Sequence, residues 1–322
     1  MKKGFTYLLM ASMLALAGCG ANEAANDEKE PSSAEIAEKQ DATISITDFA
    51  DRTITFDEVP ENIISVGNGE LDIIYALGGE LVGRATTYNE EINKQLADVE
   101  QVGNTHEFDL EKIASLQPDV VLANNPLNLK DIASIEGIGS QIILTHANSV
   151  SDIQNQITLF GDMIQKQDKA TELVADIEQK VADIEAKATD AKTRVLLIYG
   201  APGTYMAALP NSLSGNLLEL AGGENIASDY PAIEKYPQYA QLNTERIVEA
   251  NPEYIFLMTH ADPNAVKEGF IKEMAQNPAW NSIDAVKNER IEILPADLFG
   301  DNPGTKVVDA LDYMHTLLKS AQ

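Results

Sequence analysis

Two of the four histidines, His106 and His260, are the residues of this sequence best placed to do chemistry. His106 sits in Gly103-Asn-Thr-His-Glu107, just ahead of a helix that Asp109 would cap, and His260 follows the apolar strand Tyr254–Met258. A helix that leads into a strand runs antiparallel to it, so the start of the first and the end of the second share one edge. Both imidazoles should therefore line the carboxyl ends of strands, where open α/β sheets bind their ligands. His146, after the strand Ile142–Thr145, and His315, in the amphipathic stretch Val307–Leu318, read as structural.

A dedicated zinc or manganese site would need further histidines or carboxylates beside these two. The neighbouring segments supply apolar and aromatic surface instead: Tyr205, Met206, Leu209, Tyr239, Met258 and Phe299. Two imidazoles and such a wall suit a flat iron macrocycle held axially. Free backbone amides at Gly67, Asn68 and Gly69, where a helix begins, offer a seat for a ligand carboxylate such as a propionate. Arg84 is a second candidate for that charge, with an equal claim to being a surface arginine at a strand end. Catalytic signatures are scarce. There is no Gly-x-Ser-x-Gly elbow, no His-Glu-x-x-His and no phosphate loop, and Gly200-Ala-Pro-Gly203 is not a dinucleotide fingerprint. Binding rather than catalysis is the expectation.

The elements that must position these residues are short apolar runs alternating with helical patterns. A small hairpin, Thr43–Thr47 with Arg52–Phe56, precedes the runs Ile63–Val66, Val82–Ala85, Val120–Ala123 and Ile142–Thr145. The series restarts at Val195–Tyr199. Continuous apolar strands between helices predict buried, mostly parallel sheets. The two halves also resemble each other. Asp72-Ile-Ile-Tyr-Ala-Leu-Gly-Gly-Glu80 reappears as Asn216-Leu-Leu-Glu-Leu-Ala-Gly-Gly-Glu224. Asp109-Leu-Glu-Lys-Ile113 followed by Pro118-Asp119 reappears as Asn243-Thr-Glu-Arg-Ile247 followed by Pro252-Glu253. Two matches in the same order predict duplicated architecture. Between the halves, residues 151–192 contain no proline and one glycine, Gly161, and repeat apolar residues at Ala170, Leu173, Val174, Ile177, Val181, Ile184 and Ala188. That spacing predicts a long helix with a buried stripe, capped at Ser151 and broken near Gln165–Gln167, with Asp168 capping its second part. The chain therefore reads as an N-terminal α/β lobe at 42–150, a helical connection at 151–192 and a C-terminal α/β lobe at 193–322, with a ligand cleft between the lobes.

The formal charge of −28 over 322 residues excludes nucleic acid as a partner and any polybasic contact with a membrane. Lys2 and Lys3 before the apolar run Phe5–Ala17 read as a secretory signal, residues 1–18, too short to be a stable membrane span. Its end, Leu16-Ala17-Gly18-Cys19, resembles the lipobox of bacterial lipoproteins, so Cys19 is the expected acylated N-terminus. Cys19 is also the only cysteine, which rules out a disulfide framework. Residues 19–41 are polar and small and read as a flexible tether.

Nearly everything after the tether resembles the class III substrate-binding proteins of ABC importers for haem, ferric siderophores and cobalamin. The likeness lies in Ile63-Ile-Ser-Val66, Ala76-Leu-Gly78, Leu116-Gln-Pro-Asp-Val-Val121 and Leu220-Ala-Gly-Gly-Glu-Asn225. In the C-terminal half, Val195-Leu-Leu-Ile-Tyr-Gly-Ala-Pro-Gly-Thr-Tyr205 and Leu257-Met-Thr-His260 resemble the haem-binding lipoproteins of Gram-positive surface haem uptake. The resemblance implies two Rossmann-like lobes joined by a long interlobe helix, with limited hinge motion. It implies His260 as an axial ligand of haem iron. His106 takes the place where relatives carry methionine or tyrosine, so the coordination is not copied from them. Glu111 and Glu245 match the acidic pair that docks onto a permease. The implied protein is a monomer, not an enzyme, lipid-anchored on the outer face of the cell membrane of a Gram-positive organism. Its partners would be an ABC permease, the permease's ATPase, and an upstream haem donor or surface receptor. A ferric-siderophore or corrinoid receptor is the alternative within that family. A secreted enzyme using the cleft, or a structural surface lipoprotein, are alternatives outside it.

Overall fold

The computed structural model describes residues 43–86, 94–187, 192–201, 203–259 and 262–319. The expected signal, Cys19, the tether and His260 all lie outside these residues. The described chain opens with the expected hairpin, β1 (Ile44–Thr47) antiparallel to β2 (Thr53–Phe56). Period-two alternation turns Ile44, Ile46, Ile54 and Phe56 inward.

A first sheet follows. Its elements in chain order are β3 (Ile63–Ser65), α1 (Asn68–Ala76), β4 (Gly83–Arg84) and β5 (Glu100–Gln101). The small hairpin β6 (Gly103–Asn104) and β7 (Glu107–Phe108), then α2 (Leu110–Leu116), β8 (Val120–Asn124), α3 (Ile132–Gly137) and β9 (Gln141–Thr145), complete it. The order is β5-β4-β3-β8-β9 and every pairing is parallel. Residues on both faces of β8 and β9 are buried, which is why those strands read as unbroken apolar runs.

The connection is broken where the sequence predicts, near Gln165–Gln167. The first part, α4 (Val150–Met163), is capped by Ser149, whose side chain accepts from the Asp152 amide, rather than by Ser151. Gln165 takes a left-handed φ of 54° and turns the chain. The second part, α5 (Gln167–Glu185), starts one residue before Asp168, so that acid sits in the first turn and caps nothing. The two helices pack on each other, and a Cβ on Gly161 would stand 2.5 Å from that of Ala170. The buried stripe of α5 is Ala170, Ile177 and Ile184, flanked by half-buried Leu173, Val174 and Val181, as the periodicity predicts; Ala188 lies outside the described residues.

A second sheet forms from β10 (Thr193–Ala201), β11 (Thr204–Ala208), α6 (Leu213–Leu220), β12 (Gly223–Asn225), β13 (Ala232–Ile233), β14 (Tyr236–Gln241), α7 (Thr244–Ala250) and β15 (Tyr254–Met258). It ends with α8 (Pro263–Met274), α9 (Asp284–Lys287), β16 (Ile291–Ile293), α10 (Ala296–Phe299) and α11 (Val307–Lys319). The order is β13-β14-β11-β10-β15-β16, with β12 also on β10. The pairs β10–β12, β10–β15 and β15–β16 are parallel, whereas β11, β14 and β13 form an antiparallel flank absent from the sequence reading.

One apolar core runs from the inner face of the first sheet through α1, α4, α5, α6 and α11 to the second sheet, with a separate core on the outer face of each. Asp41–Gln322 is accordingly one compact unit. The internal repeat survives as matching caps. Asp109 caps α2 by accepting from the Lys112 amide, and Asn243 caps α7 by accepting from the Arg246 amide. Both helices end in a left-handed residue, Gln117 at φ 48° and Asn251 at φ 44°. Gly78 after α1 and Gly222 after α6 are likewise left-handed, at φ 81° and 92°.

Candidate ligand-binding cleft

The carboxyl ends of the two sheets share a cavity of about 650 Å³. The first half contributes Gly67 and Glu70 from the start of α1, Thr105 and His106 from the β6–β7 turn, Asn124 to Pro126 after β8, and His146 after β9. The second half contributes Ser212 to Ser214 at the start of α6, Gln238 and Tyr239 on β14, and Phe299 to Asn302 after α10. Among these lining residues there are two histidines and two carboxylates, Glu70 and Asp301, and no lysine or arginine.

His106 stands exposed on its turn, which is fastened from below. The amides of His106 and Glu107 donate to Asn104 Oδ1 at 2.9 and 3.1 Å. The Thr105 hydroxyl donates to the Val66 carbonyl at 2.7 Å, and the fully buried Asn128 donates to the Thr105 carbonyl at 3.0 Å. His146, read from the sequence as structural, lines the same wall. Its ring stands edge-on to Phe49 with centroids 5.0 Å apart, and its Nε2 is 3.9 Å from Asp152 Oδ2. His315 does have the packed role expected of it, with Nδ1 3.1 Å from the Ala221 carbonyl.

Across the cavity, Tyr239 tilts against Tyr199 with ring centroids 5.5 Å apart. Burial, with Tyr199 and Asp301 nearby, pushes the Tyr239 phenol up to about 12, so at neutral pH it is a neutral platform and not a phenolate ligand.

Strand alternation separates the other residues expected at this wall. Tyr205 pairs with Gly200, and this pair faces α8: Tyr205 packs on Phe270 at 5.2 Å and donates to the Val266 carbonyl at 3.2 Å. Met206 pairs with Tyr199 but does not line the cavity, and Met258 is 3% exposed within the shared core. His260 lies outside the described residues; the strand it follows ends at Met258, paired with Tyr199.

The two expected carboxylate anchors are differently employed. Arg84 is 1% exposed and donates to the carbonyls of Ala85 and Leu96 at 3.1 and 3.2 Å, so it is an interior brace rather than a surface cation. The start of α1 is filled by the chain itself. The Glu70 carboxylate folds back over Gly67, where a Cβ would meet its Oε2 at 2.0 Å, and it bonds its own backbone amide. Thr145 Oγ1 donates to Glu70 Oε1 at 2.9 Å. Burial raises the Glu70 pKa to about 7, with the charge of Asp301 adding to the shift. Asn68 instead borders a second cavity of about 270 Å³ beside Asp72 and Lys306, and its buried Oδ1 has no partner. Sequence reasoning missed Glu70, although an acid three residues after the helix N-cap is a recognisable signal. Asp301, in an irregular loop, carried none.

Glu111 and Glu245 are exposed in the first turns of α2 and α7. Among the described residues no helix is long and apolar enough to cross a membrane, and no group of three or more His, Cys, Asp or Glu is placed to hold a metal ion.

Residues 63–298 match the family described as periplasmic binding protein. The high-affinity heme uptake system protein IsdE of Staphylococcus aureus (strain Newman) is 30% identical over 240 residues, which is 74% of this chain and 80% of that protein. The crystal structure of S. aureus IsdE complexed with heme aligns with a TM-score of 0.69 at 26% identity, covering 80% of this chain and 98% of that one. An ABC transporter substrate-binding protein from Listeria monocytogenes EGD-e aligns with a TM-score of 0.72 at 30% identity, covering 82% and 100%. An ABC-type Fe3+-hydroxamate transport protein from Saccharomonospora viridis DSM 43017 aligns with a TM-score of 0.68 at 26% identity, covering 85% and 98%.

Proposed function

The chain belongs to the periplasmic binding protein family, and from that premise we propose that it captures haem in the cleft between its halves and delivers it to the permease of an ABC importer. The observation that carries this reading is the cleft wall. A cavity of about 650 Å³ lies within the roughly 300–1,000 Å³ of small-molecule sites, and it sets imidazoles on one side against the phenol of Tyr239 and the ring of Phe299 on the other. The likeness to IsdE, whose structure was solved with heme, supports the choice of ligand.

In this reading His260 and His106 are the axial ligands of the iron. His146 stands in reserve on the His106 wall, where Phe49 and Asp152 orient its ring. Tyr239 lies against the macrocycle. Glu111 and Glu245 meet the permease, whose ATPase drives uptake, and Cys19 carries the lipid that keeps the protein on the outer face of the membrane. The protein acts as a monomer that receives haem from a surface donor and performs no catalysis. Titrating the apo-protein with haemin tests the ligand: a Soret band and low-spin visible bands that saturate at one equivalent are expected, and absence of binding overturns the reading.

One observation favours a second ligand class. A wall with no lysine or arginine among the described residues, carrying Glu70 and Asp301, suits a neutral or cationic ferric hydroxamate better than a polyanionic chelate. A ferric trihydroxamate that displaced haemin, or bound where haemin does not, would favour that reading.

A further inference from the structure

Glu70 is 5% exposed yet lines the cleft, and it occupies the very helix start that an incoming carboxylate would use. One oxygen accepts from Thr145. The other lies over Gly67. Asp301 faces it from the loop after α10, on the opposite half of the molecule. Other charged or titratable groups around α1 include Tyr75 on its last turn with Glu80 and the buried Arg84 nearby, Lys306 and Asp297, which border its far side, and Asp152 beside His146 on α4 and after β9. His106 stands on the rim, and Asp72, on α1 itself, is engaged by Thr305. Among the described residues no lysine or arginine lines this cavity to offset a second negative charge at its floor.

We propose that Glu70 is a specificity-determining residue that reads the charge of the ligand: protonated, it admits and hydrogen-bonds a ligand carboxylate at the cleft floor, and ionised, with Asp301 opposite, it repels that carboxylate. Its titration near neutrality puts both states within reach of ordinary conditions. The proton comes from water and stays on Glu70 as the donor of a carboxylic acid–carboxylate pair. The inference rests on the reading of the cleft as a haem site and goes beyond it by assigning the group that senses the propionates.

The test uses ferric protoporphyrin and its dimethyl ester, which presents no carboxylates, with Kd measured for each at pH 6 and pH 8. Taking the ratio of the two Kd values cancels pH effects on iron ligation, which the two ligands share. In the wild type the ratio of the acid's Kd to the ester's should rise roughly five- to tenfold from pH 6 to pH 8, the size of one like-charge contact in a partly wet cleft. In Glu70→Gln it should stay flat. Asp301→Asn, at an exposed position, should lower the ratio at pH 8 at least twofold and keeps the test open should Glu70→Gln fail to fold. A flat wild-type ratio, or a rise that Glu70→Gln retains or Asp301→Asn leaves unmoved, overturns the assignment of Glu70 while leaving the haem reading intact. Failure of ferric protoporphyrin to bind the wild type overturns the haem reading, and this inference with it; failure of the ester alone at pH 8 overturns only this inference, because the carboxylates would then be needed rather than repelled.

Discussion

Asp72 and Thr305 tie the two halves of the molecule together: Asp72 Oδ2 accepts the Thr305 amide at 2.7 Å and the Thr305 hydroxyl at 2.6 Å. Asp72 lies on α1 of the first half, and Thr305 lies in the turn that leads into α11 of the second. Two glycines allow the approach. A Cβ on Gly69 would meet Asn302 at 2.1 Å, and Gly304, at φ 61°, would meet Asp72 at 2.6 Å. Asn302 in turn donates to Gln156 on α4 at 3.0 Å.

Removing this tie should loosen the whole unit, because the two halves share one core. Asp72→Ala leaves a partly buried amide and hydroxyl unpaired and should cost about 1–3 kcal/mol in urea unfolding. Gly304→Ala adds a clash and a strained left-handed backbone, with a loss of similar size. Wild-type stability in both variants would show that the contact carries no weight.

Glu70 gives the stability of the empty protein a pH dependence of definite sign. Its pKa is near 4.5 unfolded and about 7 folded, so between those values the folded state holds a proton that the unfolded chain has lost. Stability from this group is therefore complete below about pH 4.5 and falls as pH rises to about 7. Glu70→Gln, which can still accept from Thr145, should match the wild type near pH 4.5 and exceed it by roughly 1–3 kcal/mol at pH 8. Chemical denaturation at both pH values measures the difference; an equal offset at both would mean that Glu70 does not titrate as described.

Histidine substitutions assign the iron ligands. His260→Ala should abolish the low-spin haem spectrum or convert it to high spin. His106→Ala should do the same if the exposed turn residue ligates, and His146→Ala should then leave the bands in place. The reverse pattern would move ligation to His146, whose ring is already oriented by Phe49 and Asp152. Absorption and electron paramagnetic resonance distinguish the outcomes.

Charge reversal tests the docking role proposed for Glu111 and Glu245. Glu111→Lys with Glu245→Lys should block haem-dependent growth or uptake while the Soret titration is unchanged. Each lysine also opposes a helix dipole and should cost roughly 0.3–1 kcal/mol at the start of α2 or α7. Uptake at the wild-type level would remove these residues from any partner surface.

The strands of the first sheet and the helices that end before Gly78 and Gly222 were legible because burial on both faces writes unbroken apolar runs, and because left-handed caps demand particular residues. The repeat was legible for the same reason. Tyr205 was assigned to the cleft and faces α8 because strand alternation depends on a register, Gly200 opposite Tyr205, that one chain segment cannot reveal. The break near Gln165–Gln167 was legible and is there, but nothing in the sequence marks Gln165 as the left-handed residue that turns α5 back against α4. Arg84, read as a candidate carboxylate anchor with an equal claim to the surface, is neither, because backbone carbonyls, invisible in sequence, receive its guanidinium. Tyr239, His106 and Gly67 do line one cavity with Phe299. Glu70 and Asp301 join them only through a contact between distant parts of the chain.

The seam at Asp72 and Thr305 bears on how the state of the protein is announced. The halves are sewn along the shared core and again along this seam, so a clamshell swing would have to tear both. On the proposed reading, empty and loaded molecules would then keep nearly the same silhouette. A partner that distinguished the two would gain little from overall shape; it would have to read the rim of the cleft, with the turn that carries His106, Tyr239 and the exposed edge of the bound ligand.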